Sequence, residues 1–279
     1  MVSLAGGAFL LGSEDGFAYP ADGEGPVREV ELSPFWIDAH AVSNREFGEF
    51  VQDTGYVTEA ERFGWSFVFG GFLPDDFPPT RAVASAPWWR QVEEADWRHP
   101  DGPQSDLTGR ENHPVVHVSW VDAQSYCNWA GKKLPTEAEW EFAARGGLES
   151  QAFPWGNELE PEGGHMMNVW QGSFPDANSL GDGYFGTCPV DAFDPNAYGL
   201  LNTTGNVWEW TGDWFHASFR PRDKRTDPAG PPNGTNKVQK GGSYLCHHSY
   251  CRRYRVAARQ GNTPDSSTGN LGFRCARDA

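Results

Sequence analysis

The chain has 279 residues, 38% hydrophobic and 14% aromatic with 13 Trp, and a formal net charge of -16. This aromatic content supports a sizeable core and excludes disorder, while the acidic balance argues against nucleic acid, whose binding rests on cation contacts to phosphate. The 33 Gly and 21 Pro spread along it predict short elements joined by ordered loops, in one mixed α+β domain over 1–279 with little regular secondary structure.

In chain order, residues 1–11 are apolar but lack a basic flank, and Glu14 and Asp15 follow at once, so no signal peptide is expected. No run approaches the roughly 18 to 20 apolar residues that span a bilayer. The expectation is a cytoplasmic chain with no membrane partner. Strands are predicted at 28–32 and 35–37. Ser43 and Glu46 then form a capping box, opening a helix whose Phe47, Phe50 and Val51 make one apolar stripe ending near Gly55. Trp88 and Trp89 suit core packing better than a peptide wall.

A strand is predicted at 115–118, after which Ser119 caps a second helix with Ala123, Tyr126, Cys127 and Ala130 inward and Gly131 at its end. Thr136 and Glu139 form another capping box, and that helix runs through Trp140, Ala143 and Ala144 to Gly146 and Gly147. Residues 153–205 are rich in Gly, Asn, Asp and Pro with little periodicity. Such a stretch in a compact domain is functional, or is held by something other than a hydrogen-bonded ladder. Strands are predicted again at 237–241 and 271–276.

The segment 237–279 holds eight basic residues against Asp265 and Asp278, so it carries +6 and the remainder -22. Most of these cations are expected to pair with acidic groups elsewhere in the fold, the sharper reading being that one or two lie near cysteine thiols and lower their pKa. Five cysteines leave at least one unpaired. Cys246 and Cys251 are five apart, a spacing that points side chains to opposite faces of a strand and far apart around a helix. If both thiols serve one site, the backbone at His247, His248 and Ser249 must turn. A thiol pair on a turn is a candidate redox couple, disulfide or soft-metal site.

The blocks Asn206-Val207-Trp208-Glu209-Trp210, Lys240-Gly241-Gly242-Ser243, Asn262-Thr263-Pro264-Asp265-Ser266-Ser267 and Asn270-Leu271-Gly272-Phe273-Arg274, together with the two cysteines, closely resemble the formylglycine-generating enzymes. The resemblance runs along nearly the whole chain. It implies a fold related to C-type lectins. It also implies an activity: conversion of a cysteine within Cys-x-Pro-x-Arg of an unfolded or nascent sulfatase into Cα-formylglycine, with molecular oxygen and a thiol reductant.

By the same resemblance, Cys246 and Cys251 are ligands of Cu(I), with Ser243 and Trp208 in the pocket beside them. Ser66, Arg259, Ser267 and Asn270 match positions lining the substrate groove. A salt bridge is as good a reading of Arg259, and turn formation of Ser267 and Asn270. Trp65, beside Ser66, departs from the Asp that some relatives carry. His247 and His248 are read as surface or groove residues. Two structural calcium sites are implied, one from Asn168, Val169, Asp182 and Tyr184, the other from Asn202, Gly205, Val207 and Glu209. Val169, Tyr184, Gly205 and Val207 would act through backbone carbonyls.

Cys127 and Cys275 occupy positions joined by a disulfide in secreted relatives, whereas Ala144 and Val256 stand where those relatives carry a second pair. That departure suits a bacterial-type cytosolic enzyme. The alternative is a non-catalytic peptide-binding module on the same fold, which loss of the thiol pair would mark. An iron-dependent sulfoxide synthase would need a histidine triad and an added helical domain, and neither is evident.

Overall fold

The computed structural model describes residues 1–218 and 225–279. Its helices are α1 (Asn44–Thr54), α2 (Glu59–Phe63), α3 (Trp120–Trp129) and α4 (Glu137–Arg145). The three expected helices start where their caps place them. In each, the N-cap hydroxyl accepts from the backbone N–H three residues on and that residue's carboxylate reaches back, satisfying two otherwise free donors. The extra helix, α2, has the same box at Thr58 and Glu61. Five residues are too few to show a helical period, so only the cap announces it.

The strands are β1 (Val2–Leu4), β2 (Gly7–Leu11), β3 (Arg28–Leu32), β4 (Phe35–Ile37), β5 (Trp65–Phe69), β6 (Ala82–Val83) and β7 (Ala86–Glu93). They continue as β8 (Gly172–Ser173), β9 (Ala177–Asn178), β10 (Trp208–Trp214), β11 (Lys237–Lys240), β12 (Arg259–Asn262), β13 (Leu271–Phe273) and β14 (Ala276–Asp278). These short strands form several small sheets: β1-β4-β14, β12-β11-β10-β13, β5-β7-β6 and two hairpins. The architecture is mixed α+β, as expected.

Two strand expectations are corrected. Residues 115–118 form no strand, because His117 sits at φ 57 and the Val115 N–H goes to a single carbonyl, that of Val42. The predicted strand at 271–276 divides, β13 pairing parallel with β10 and β14 antiparallel with β4. Arg274 lies at the crossing, its guanidinium fully buried on both oxygens of Glu209. The stretch 153–205 is irregular, holding only β8, β9 and a 3₁₀ turn.

The main core lies between α1, α3 and the β10–β13 sheet, where Phe47, Phe50, Tyr126 and Phe273 pack in edge-on and stacked contacts and Trp210 belongs to the same cluster. Both cysteine pairs belong to it. The basic C-terminal segment is drawn in by acidic partners: Lys240 on Glu141, Arg253 on Asp22, Arg255 on Glu24, Arg259 on Glu137 and Arg274 on Glu209. Its charge therefore holds the fold together rather than facing a partner.

Candidate active site

Strand β11 leads into Gly241 and Gly242, at φ 91 and 73. A Cβ on Gly242 would stand 2.9 Å from the Tyr254 Cα and 3.0 Å from the Arg253 carbonyl oxygen. Glycine is thus required where the arm carrying Ser243 packs against the returning arm. Between the arms the chain turns as the cysteine spacing demands: the Tyr250 and Cys251 N–H groups both donate to the His247 carbonyl, at 3.1 and 2.8 Å. The turn brings the Cys246 and Cys251 sulfurs to 3.0 Å, both buried.

Polar groups converge on this pair. The Ser243 N–H donates to Cys246 Sγ at 3.4 Å, and Asn270 Nδ2 donates to the Ser243 hydroxyl at 2.8 Å. Trp208 joins the same wall, its N–H donating to the Asn270 carbonyl at 2.9 Å. Behind Asn270, the Ser66 hydroxyl lies 2.8 Å from that of Ser267 and 2.7 Å from His117 Nδ1. His117 Nε2 faces the Pro100 carbonyl at 2.8 Å, so Nε2 carries the proton and Nδ1 accepts from Ser66. Burial lowers the His117 pKa and keeps this ring neutral.

An N-terminal strap closes the other side. Tyr19 accepts the Arg252 N–H at 2.9 Å through its hydroxyl, and its ring lies 4.1 Å beneath the Arg253 guanidinium. Asp22 takes Arg253 Nε at 2.5 Å. The Cys251 thiol is shifted toward thiolate, first by the hydrogen bond from the Cys246 thiol; burial opposes this, and the Arg253 backbone N–H and charge reinforce it. Burial and the neighbouring sulfur push Cys246 up instead. Of the two sulfurs, Cys251 is therefore the one inclined to thiolate and Cys246 the one inclined to keep its proton.

The structure thus gathers Cys246, Cys251, Ser243, Trp208, Asn270, Ser267 and Ser66 into one connected network. Arg259 is engaged elsewhere: its guanidinium is bidentate on Glu137, at 2.5 and 2.8 Å, and lies 4.8 Å from the Phe215 ring. Of the two readings of Arg259, this geometry matches the salt bridge. His247 is buried, its ring tilted at 48° and 4.0 Å from that of the exposed His248. Sequence reasoning missed Tyr19, Asp22, His117 and Tyr250, whereas Arg253 is one of the C-terminal cations read as able to lie near the thiols. No local motif marks those four, because each acts across a large separation or on an irregular segment.

Two adjacent thiols, with no carboxylate among the described residues hydrogen-bonded to either sulfur, are the soft set that suits Cu(I). For the first calcium site, the Gln171 side-chain amide bonds both the Val169 carbonyl and an Asp182 oxygen, so hard oxygens converge on one point. At the second, Asn202 Oδ1 is buried without a hydrogen-bond partner, as a ligand oxygen awaiting a cation would be. Glu209 accepts three hydrogen bonds from Arg274 and Trp140, leaving about one of a carboxylate's four acceptor positions for an ion.

Comparison with known proteins agrees with this architecture. A family model described as the sulfatase-modifying factor enzyme 1-like domain matches residues 1–279. The chain is 60% identical to a formylglycine-generating enzyme of Thermomonospora curvata, over all of this chain and 93% of that one. It is 56% identical to the formylglycine-generating enzyme of Bos taurus, over all of this chain and 74% of the relative. A Bos taurus protein named inactive C-alpha-formylglycine-generating enzyme 2 is 48% identical, over all of this chain and 88% of its own. Among solved structures, PvdO from Pseudomonas aeruginosa matches in fold, with a TM-score of 0.69 at 24% identity over 99% of this chain and 93% of that one.

Proposed function

The chain belongs to the sulfatase-modifying factor enzyme 1-like family, and from that premise we propose that it is a formylglycine-generating enzyme that oxidises a sulfatase cysteine to Cα-formylglycine. The observation that carries this reading is the Cys246/Cys251 pair, with sulfurs 3.0 Å apart on a turn braced by Ser243 and Arg253. In balanced form, the peptide thiol, one dioxygen and two reductant thiols give the aldehyde, hydrogen sulfide, a disulfide and water. The target is a cysteine within Cys-x-Pro-x-Arg of an unfolded or nascent sulfatase.

Cu(I) would be held by Cys246 and Cys251, and when bound it supplies the one-electron chemistry toward dioxygen that thiols perform slowly by themselves. The chain's own residues prepare the site. The Ser243 N–H and the Arg253 charge stabilise negative sulfur, and the burial of Cys246 excludes bulk water from the reacting thiols. Asn270 fixes the Ser243 hydroxyl beside the pair, and Trp208, whose N–H holds the Asn270 carbonyl, would line the pocket that the substrate thiol enters. Ser66 and Ser267 support the groove wall through neutral His117.

The calcium sites are part of the proposal: Asn168, Val169, Asp182 and Tyr184 would bind one ion, and Asn202, Gly205, Val207 and Glu209 the other. Among the described residues no helix is long and apolar enough to cross a membrane. The proposal keeps the cytoplasmic location expected from the sequence, where Cys127 and Cys275 would stay reduced.

A relative named inactive at 48% identity leaves a non-catalytic peptide-binding module as the second reading. One assay separates them. The copper-loaded protein is incubated with oxygen, a thiol reductant and a peptide containing Cys-x-Pro-x-Arg. Appearance of the aldehyde mass supports the enzyme, whereas peptide binding without conversion by fully loaded protein sinks it in favour of the module.

A further inference from the structure

A cleft of about 400 Å³ is lined by Tyr244 and Gly269, which adjoin Ser243 and Asn270 in sequence, but by no side chain of the thiol network. The Tyr244 hydroxyl donates to the Gly269 carbonyl at 3.1 Å. The cleft falls within the roughly 300 to 1,000 Å³ of small-molecule sites, which combine apolar walls with a few placed polar groups.

Part of its lining is aromatic. Phe72 stands edge-on to Phe185 at 5.4 Å and lies 6.0 Å from Tyr244. Gly186 admits the Phe72 ring, since a Cβ there would stand 2.7 Å from the ring tip. Phe185 is 37% exposed, an apolar edge left for a ligand. The remaining groups are polar. Arg110 Nη2 lies 2.6 Å from Asp101 Oδ2, which leaves the other Asp101 oxygen and the rest of the guanidinium N–H groups for further partners. Burial pushes the Tyr244 hydroxyl up, with Asp101 adding to the shift and Arg110 opposing it, so both charges act on the aromatic side. Asn44 Nδ2 donates to the Arg110 carbonyl at 2.8 Å, which fixes the orientation of that amide. Asn44 Oδ1 is then left buried with no hydrogen-bond partner among the described residues, a cost that a ligand N–H removes.

We propose that this cleft binds a free amino acid with an apolar side chain, in its zwitterionic form. The carboxylate pairs with the Arg110 guanidinium, whose planar fork takes two oxygens at once, and the ammonium donates to Asp101 and to Asn44 Oδ1. The side chain buries its apolar area against Phe72, Phe185 and Tyr244. Charge complementarity selects this occupant: an anion alone meets Asp101, a cation alone meets Arg110, and an internal peptide segment offers neither charge to the pair.

The test is calorimetric titration of the full chain with L-phenylalanine, L-leucine, glycine, N-acetyl-L-phenylalanine and L-phenylalaninamide. The expected result is a dissociation constant of roughly 0.1 to 1 mM for phenylalanine or leucine. Binding is at least about tenfold weaker for the other three, which lack the apolar side chain, the ammonium or the carboxylate. Asp101→Asn and Arg110→Gln each weaken phenylalanine binding by about tenfold or more, and Arg110→Gln also brings phenylalanine and its amide to within about twofold of each other. Phe185→Ser, at an exposed ring, narrows the gap between phenylalanine and glycine in the same way. Absence of binding by both phenylalanine and leucine at about 10 mM overturns the site, as does equal binding of either capped form. Both of these readings use the unmutated protein and so stand whether or not a variant folds. Phenylalanine binding unchanged in a folded Arg110→Gln overturns it as well.

Discussion

The molecule holds two pairs of neighbouring thiols that differ little in distance and greatly in setting. Cys246 and Cys251 are 3.0 Å apart, and Cys127 and Cys275 are 3.3 Å apart. Both pairs are buried and belong to the same core. Yet the first sits on a turn with a backbone N–H, a serine hydroxyl and an arginine close by, whereas the second is sealed between α3 and the β13–β14 crossing. Burial, the neighbouring sulfur and the Asp38 charge push the Cys275 thiol up, with Lys132 opposing. Proximity alone does not make thiols reactive; groups that stabilise thiolate do.

The largest expected effect separates the pairs outright. Cys246→Ser or Cys251→Ser is expected to lower formylglycine formation by about a thousandfold or more, whereas Cys127→Ala stays within about threefold. Peptide conversion followed by mass spectrometry, well below each variant's melting point, makes the comparison. Loss of turnover in Cys127→Ala as deep as in Cys251→Ser would break it.

The arm that delivers Ser243 and Cys246 rests on a buried ion cluster, so stability is the second test. Burial acts to raise the Glu141 pKa, but Lys240 and Arg145 outweigh it and hold the carboxyl down to about 2. A depressed carboxyl stabilises the fold above its unfolded pKa of about 4.3 and loses that contribution as pH falls toward the folded value. Acid unfolding should therefore carry a component between pH 4.3 and about 2 that is absent in Glu141→Gln. Lys240→Met leaves Glu141 with the Arg145 cation and the Gly12 N–H and is expected to cost about 3–5 kcal/mol in denaturant titration.

Calcium removal should act on the wall around the first pair and not on the sealed one. Chelation is expected to lower stability by about 1–3 kcal/mol, seen as a lower melting temperature before any change in copper affinity. An unchanged melting curve counts against both calcium sites. The smallest effect is spectroscopic. Because the Cys251 shift is downward, ultraviolet thiolate absorbance should rise at a lower pH than for an ordinary thiol, and Cys251→Ser but not Cys275→Ala should remove that early rise.

The helices were legible because their signals are local. Ser43, Ser119 and Thr136 each sit three residues before an acidic side chain, and α1, α3 and α4 begin there. The two cysteines and the required turn were legible for the same reason: spacing alone forbids a regular backbone between convergent thiols. Strands such as β5 and β10 were not legible, since their pairing partners lie far off in sequence and both faces are partly covered. Residues 115–118 misled for the converse reason: β-branched residues there are buried by packing without any ladder.

What the sequence determined by itself was the set of candidate groups: a thiol pair, a serine beside it, and the oxygen-rich segment 153–205. Only the tertiary structure decided their chemical state. Asp22 reaches Arg253 across 231 residues, Ser66 meets Ser267 across 201, and Glu137 claims Arg259 across 122. Electrostatic stabilisation of a thiolate depends on distance and burial in space, and neither is written in the order of the chain.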